Sequence, residues 1–285
     1  MSRDVAEDGG VFEGSRLDFA VQVHEGRRMS TVHLVGGEKG GVGKSVVARL
    51  LVQTVVDRGI AFAALDADLS HGALVRSYAD FTQRTDLERL ESADQILDRA
   101  LGAERLVVVD LPAQSHRALR RWIDATDVLT YAREMNVRLV LWHVTDGGFD
   151  SVAHLEKLLD DFGDSVNYVV VKNEGRSKDF SQLEASQAYA RLRELGGRVI
   201  ALPELDPAIM YKVDRFGSSF WAAVNATEGE RALAPLERRR AKLWLTRAQA
   251  ALDEADGLPR VGLNGAAGER NEAAGQTLEG QPGVN

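Results

Sequence analysis

Six short apolar runs punctuate the chain: Thr31–Val35, Ile60–Leu65, Leu106–Val109, Val137–Val144, Tyr168–Val171 and Arg198–Ala201. Each predicts a strand. The stretches between them predict helices over 45–58, 86–101, 149–162 and 180–195, with a helical region that reaches about Asn136 and breaks near Thr126. Residues 69–84 read as loop and short helix, short helices fall between 207 and 224, and a long helix covers about 229–253. The 45–58 helix is apolar nearly all round, as expected of a helix buried against a sheet, and Gly59 ends it. Continuous Val, Ile and Leu runs alternating with helices mean a parallel sheet covered on both faces. The fold class is therefore α/β, a mostly parallel doubly wound sheet. Ligands in such sheets sit at the carboxyl ends of the strands, so polar residues there are the candidates.

The first of those ends carries the strongest signal. It runs Gly36-Gly37-Glu38-Lys39-Gly40-Gly41-Val42-Gly43-Lys44-Ser45 and leads straight into a helix. Strand, Gly-rich loop, Lys-Ser and helix form the layout of a phosphate-binding P-loop. Glycines let the backbone N–H groups of Gly40, Gly41, Val42 and Gly43 curl around an anion with no Cβ in the way. The helix aims its N-terminal dipole at the same phosphates. Lys44 supplies charge for the β and γ oxygens, and the Ser45 hydroxyl is placed to ligate Mg²⁺.

Composition narrows the setting. With 285 residues, 44% hydrophobic and 27% charged, the chain suits a globular protein. No apolar run approaches the roughly 18 residues that span a bilayer, and the N-terminus lacks a basic-then-apolar signal pattern. The absence of cysteine excludes disulfides, thiolate metal sites and Cys nucleophiles. Together these point to the cytoplasm. The net charge of −8 sits largely in the tails, −2 in residues 1–29 and −4 in 253–285, so it does not exclude a local basic patch.

The N-terminal tail, 1–29, shows little periodicity, and Met29 stands as an alternative start. Residues 256–285 hold almost no large apolar side chains and are expected to be disordered. Between the tails lie a P-loop domain over 30–228 and a helix over 229–255, packed on the domain or extending from it. That helix carries Arg238-Arg239-Arg240, Lys242 and Arg247, and Leu236, Leu243, Trp244, Ala248, Ala251 and Leu252 share a face. Such a helix meets DNA, a membrane or a protein partner, or packs by its apolar face with solvated arginines outside. The packed arrangement is the expectation. His71, His116, His143 and His154 lack metal-ligand spacing and read as strand and surface histidines. Trp142, Trp221 and Trp244 read as core.

The loop departs from Gly-x-x-x-x-Gly-Lys-Ser/Thr, because Glu38 stands where the first glycine should be and Lys39 precedes the glycines. Lys-Gly-Gly-x-Gly-Lys-Ser/Thr is the deviant Walker A loop, and over about residues 30–225 the chain resembles the ParA/MinD family of dimerising ATPases. The resemblance implies ATP and Mg²⁺ as cofactors and an ATP-dependent homodimer, in which Lys39 reaches across a two-fold interface to the nucleotide of the other copy. It implies that Asp68, in Leu65-Asp66-Ala67-Asp68, orients the attacking water, with Asp66 nearer the metal. Asp110 matches the Walker B carboxylate that holds Mg²⁺ through water. Family members often continue with a proline and then a glycine that feels the γ-phosphate; here Leu111-Pro112-Ala113-Gln114 keeps the proline and not the glycine. Asn173 falls where the family places an asparagine against the adenine amino group. The guanine-reading Asn-Lys-x-Asp is absent, since Glu174-Gly175-Arg176 follows Asn173.

More narrowly, the chain looks like TraL-type conjugal-transfer ATPases. The echoes are His143-Val144-Thr145 with Gly147-Gly148, then Asn173 with Gly175, Ser177, Lys178 and Phe180, and the long basic helix. This implies a nucleotide-switched protein with slow hydrolysis and a protein partner in plasmid transfer or partition. Nitrogenase-type iron proteins and cobyrinate-type synthases need cysteines the chain lacks, and a bacterial tyrosine kinase of this fold needs a Tyr-rich tail beyond Tyr211. An ATP-dependent biosynthetic ligase of the dethiobiotin-synthetase type remains the alternative.

Overall fold

β1 (Ser30–Gly36) is buried along nearly its whole length and forms the middle of a seven-stranded sheet. The computed structural model describes residues 29–102, 106–255 and 258, so the expectations for both tails fall outside the described residues except at Met29, which is exposed, and Leu258, which is buried in an apolar layer against the expectation for its tail. The other strands are β2 (Ala63–Asp66), β3 (Thr82–Arg84), β4 (Leu106–Asp110), β5 (Val137–Thr145), β6 (Asn167–Asn173) and β7 (Arg198–Leu202). Their order is β3-β2-β4-β1-β5-β6-β7, and every pairing is parallel.

Parallel strands need crossover helices, and these cover both faces. One face carries α3 (Leu90–Leu101), α4 (His116–Ala125), α5 (Val128–Glu134), α6 (Phe149–Phe162), α7 (Ser181–Glu184) and α8 (Gln187–Glu194). The other carries α1 (Lys44–Asp57), α2 (Ala73–Ser77), α9 (Pro207–Arg215), α10 (Phe220–Asn225) and α11 (Pro235–Glu254). Alternate residues of β1, such as Leu34 and Val35, feed the two apolar layers in turn.

Several elements differ from their sequence expectations for definable reasons. β3 lies within a stretch read as loop and short helix. Thr82-Gln83-Arg84 has no apolar run, and it becomes a strand only by pairing with Ala64–Asp66. The 180–195 helix is two, because the Ser186 hydroxyl accepts from Tyr189 N and caps a new start. The last helix begins at Pro235 rather than 229, since proline fits the first turn of a helix.

The first helix is apolar along most of its length, but Arg49, Gln53 and Thr54 are buried in it. Arg49 pairs with Asp214 at 2.7 Å and lies over the Phe220 ring, 4.6 Å from its centroid. Gln53 Oε1 accepts from Tyr78 Oη at 2.9 Å and from Trp221 N at 2.8 Å. These contacts add charge and hydrogen bonds to the apolar packing that ties α1 to the end of α2, to α9 and to α10.

α11 packs on the domain through Trp244, Ala248 and Leu252 of the face drawn from sequence, with Ala241 and Leu245 taking the places expected of Leu236 and Leu243. Ala241, Trp244, Leu245, Ala248 and Leu252 are buried, and Trp244 Nε1 donates to the Pro203 carbonyl at 2.7 Å. Leu236 and Leu243 are exposed, alongside Arg239, Arg240, Lys242 and Arg247. Trp142 and Trp244 are core as expected; Trp221 is not, and is 58% exposed. No helix among the described residues is long and apolar enough to cross a membrane.

Candidate functional site

The candidate residues converge where four strand ends meet the loop after β1. Asp66 and Asp110 end neighbouring strands in register, Val35 pairs with Asp110, and Gly36 pairs with His143. The loop takes its shape from glycine. Gly43 caps α1 with a φ of 105°, and a Cβ there would lie 2.2 Å from Asn173 Nδ2. A side chain at that position would therefore be both strained and obstructed.

Lys44 is buried and its amine donates to the Lys39 carbonyl across the loop at 3.1 Å. Burial pushes its pKa down, while Asp110, Asp68 and Glu38 hold it up. Asp110 is wholly buried, and neither of its carboxylate oxygens has a hydrogen-bond partner. Burial drives its pKa up to about 7; the Ser45 hydroxyl and Lys44 charge act against that rise, and Asp66 adds to it. An ionised carboxylate in such a place requires a counter-charge. Asp110 with the Ser45 hydroxyl is a hard, all-oxygen donor set of the kind that holds Mg²⁺ with waters and phosphate oxygens.

Asp66 is also fully buried, but its oxygens are engaged: Oδ1 accepts from Asp68 N at 3.0 Å and Oδ2 from Val75 N at 2.9 Å. It braces the loop that carries Asp68. Asp68 in turn accepts through Oδ1 from Ser70 N at 3.1 Å and His71 N at 3.0 Å, and Oδ2 faces the His71 ring at 3.2 Å.

Asn173 lies beside the loop, with its side-chain amide turned inward. Nδ2 donates to the Val42 carbonyl at 2.6 Å and Oδ1 accepts from Gly175 N at 3.0 Å. It thus fastens the phosphate loop to the end of β6. Next to it opens a cavity of about 290 Å³, bounded by Asn173, Arg176, Pro203, Met210, Tyr211 and Asp214. Its mixed apolar and polar wall has the character of a small-molecule site.

Lys39 stands on the outer rim, with its side chain 47% exposed and its amine 2.6 Å from Asp146 Oδ2. Hydrogen bonding to Asp146 raises the lysine's pKa. Asp146 is itself held by Gly148 N at 3.1 Å and Ser151 Oγ at 3.0 Å. Asp146 is not among the residues singled out from the sequence. The rule that selected Asp66 and Asp110, a carboxylate at a strand's carboxyl end, applies equally to this residue after β5.

His143 on β5 and the exposed His71 are as expected, whereas His116 and His154 are buried on helices. His116, His143 and His154 are in ring contact, edge-on at a centroid distance of 5.3 Å for His116–His154 and tilted at 5.5 Å for His143–His154. Glu38 of the P-loop lies 3.7 Å from His154, and Asp161 hydrogen-bonds His116 at 2.6 Å. Only the packing of α4 and α6 against β5 brings them together, so their separation in sequence held no signal. Among the described residues no cluster of three His, Asp or Glu side chains can hold a metal ion by itself.

No family model matches the chain. Among curated proteins it is 25% identical over 180 residues to Protein MobD of Acidithiobacillus ferrooxidans, covering 61% of this chain and 78% of that one. Two TraL proteins of Escherichia coli are each 26% identical, one covering 67% of this chain and 82% of the relative, the other 80% and 99%. Among solved structures, the septum site-determining protein MinD of Pyrococcus horikoshii, complexed with Mg-ADP, aligns with a TM-score of 0.49 and 14% identity, covering 81% of this chain and 98% of that one. The chain that carries this deviant Walker A loop and these strand-end carboxylates is thus similar, over 61–80% of its length, to the MobD and TraL proteins.

Proposed function

We propose that the chain binds ATP with Mg²⁺ and hydrolyses it slowly, as a dimerisation switch in plasmid transfer or partition. The observation that supports this most is Asp110, a buried carboxylate with both oxygens unpartnered beside Lys44 and Ser45. Bound Mg²⁺ would neutralise charge on the β and γ oxygens. Lys44 would exchange its bond to the Lys39 carbonyl for the phosphates, and the loop's N–H groups would hold them in place. The cavity beside Asn173 offers a place for the base. An adenine contact by Asn173 requires the second hydrogen of its amide, since the first is given to Val42. In the switch reading, a transfer or partition protein recognises the ATP-bound homodimer. A pull-down from the source cell with ATP against ADP tests that part; equal capture in both states would remove it.

Lys44→Ala is expected to weaken ATP binding by about 100-fold or more, because the β/γ charge is left uncompensated. Titration with a fluorescent ATP analogue measures it, and parental affinity in the variant would end the P-loop assignment. Asp68→Asn is the cleaner test of the water-orienting role, since asparagine keeps an acceptor for Ser70 N and His71 N. It should leave ATP binding unchanged and lower single-turnover hydrolysis about 100-fold. Unchanged turnover would move that role elsewhere.

A further inference from the structure

Among the described residues, three that are not glycine have left-handed backbone: Gln114 with φ 59°, Asp127 with φ 47° and Asn136 with φ 56°. Asp and Asn tolerate this conformation because their short polar side chains bond locally, and both of these residues lie where a helix begins or ends. Gln114 has no such excuse. Strain of this kind persists where surrounding structure imposes it, and it gathers at functional sites.

Its surroundings impose it through the phosphate loop. Leu111 N donates to the Val35 carbonyl at 2.9 Å, and Gln114 N donates to the Glu38 carbonyl at 3.3 Å. The segment after Asp110 is thereby laid along the residue next to Lys39, four positions beyond the candidate Mg²⁺ carboxylate. A glycine would take this φ without strain, yet the chain carries a glutamine whose side chain is exposed. No hydrogen bond joins that side chain to any described residue.

Resting on the ATP-hydrolysis reading above, we propose that Gln114 positions the attacking water. A neutral carboxamide has an acceptor and a donor side by side, so its oxygen can take a hydrogen bond from water while its NH₂ donates to a γ-phosphate oxygen. Other P-loop NTPases place a glutamine in this role. Asp68 has Oδ1 committed to two backbone N–H groups, which leaves room for a second group at the water. In the step itself the water oxygen bonds to the γ-phosphorus as the bond to the β–γ bridging oxygen breaks. That oxygen leaves with its electron pair as part of ADP, and the water's proton passes to the inorganic phosphate.

The test uses the full chain with Gln114→Gly and Gln114→Glu. Three quantities are measured: ATP and ADP affinity, single-turnover hydrolysis, and the thermal midpoint without nucleotide. Gln114→Gly should raise the midpoint, because the strain is gone, keep both affinities within about twofold, and lower hydrolysis about 100-fold. Gln114→Glu should weaken ATP about tenfold while leaving ADP unchanged, since only ATP brings a γ-phosphate to the new carboxylate. A purely structural residue would not separate ATP from ADP in this way. An active parent with Gln114→Gly hydrolysing at the same rate would overturn the proposal and leave the ATPase reading intact. A parent that binds ATP but never turns it over would overturn both.

Discussion

Lys39→Ala is expected to keep ATP binding and to lose ATP-dependent dimerisation and hydrolysis together. Lys44 is already the buried lysine of the loop, so an exposed lysine five residues earlier is not needed to hold phosphate in its own copy. In the free chain Lys39 is parked on Asp146 at 2.6 Å, on the outer rim of the site. An exposed ion pair of this type contributes little stability, so the lysine can leave it when a better anion arrives. On the proposed reading that anion is the nucleotide of a second copy, where the lysine would stabilise transition-state charge in trans as an arginine finger does. Such a group is worth about 10³-fold or more in rate. Two-fold pairing is also the commonest homo-oligomer symmetry. Sedimentation of the Asp68→Asn chain with saturating ATP should show a dimer, and the same chain also carrying Lys39→Ala should remain monomeric. A monomer in both cases would end the sandwich mechanism while leaving ATP binding untouched.

The unliganded chain should lose stability steeply as pH falls from about 6.5 toward 4. Burial lowers the pKa of His33 to about 3, with Arg138 adding to the fall, and that of His143 to about 4. His154 is lowered to about 3 by burial, with His143, His116, Lys157 and Lys44 nearby. A histidine with a depressed folded pKa contributes stability that is fully present above its unfolded value and is lost as pH falls through the folded one. At pH 5 each of the three costs about 2 kcal/mol. Asp110 acts in the opposite sense. Its raised pKa favours the fold below about pH 4 and loses that contribution as pH rises through about 7. At pH 5 it returns about 3 kcal/mol, less than the histidines remove together. Asp66, raised by burial, works in the same direction as Asp110. Against a typical total stability of about 5–15 kcal/mol, the roughly 3 kcal/mol left between the histidines and Asp110, reduced by Asp66, is a measurable loss. Chemical denaturation at pH 7 and pH 5 measures it. A His154→Gln chain should show a flatter dependence, and equal stability at both pH values would contradict the assignment of buried neutral histidines.

Local chemistry, acting within a few residues, was legible in the sequence. The P-loop, the Asp66 and Asp110 strand ends and six of the seven strands need only short-range pattern, because continuous Val-rich runs and glycine spacing are local properties. Even the break between α4 and α5 could be placed near Thr126. Tertiary structure decided the rest, for reasons that involve distant partners. β3 exists because β2 offers it hydrogen bonds, not because Thr82-Gln83-Arg84 favours a strand. Leu236 and Leu243 share a helical face with Trp244 and Ala248, but the domain meets α11 along Ala241 and Leu245 beside those two residues and leaves both leucines exposed. Arg49 and Gln53 enter the interior only because Asp214, Phe220 and Tyr78 are waiting for them. The histidine cluster, the Lys39–Asp146 pair and the strained backbone of Gln114 all arise where one strand end or helix is brought against another. A linear pattern names the groups a fold carries; which of them are buried, paired or strained is set by neighbours far away in sequence.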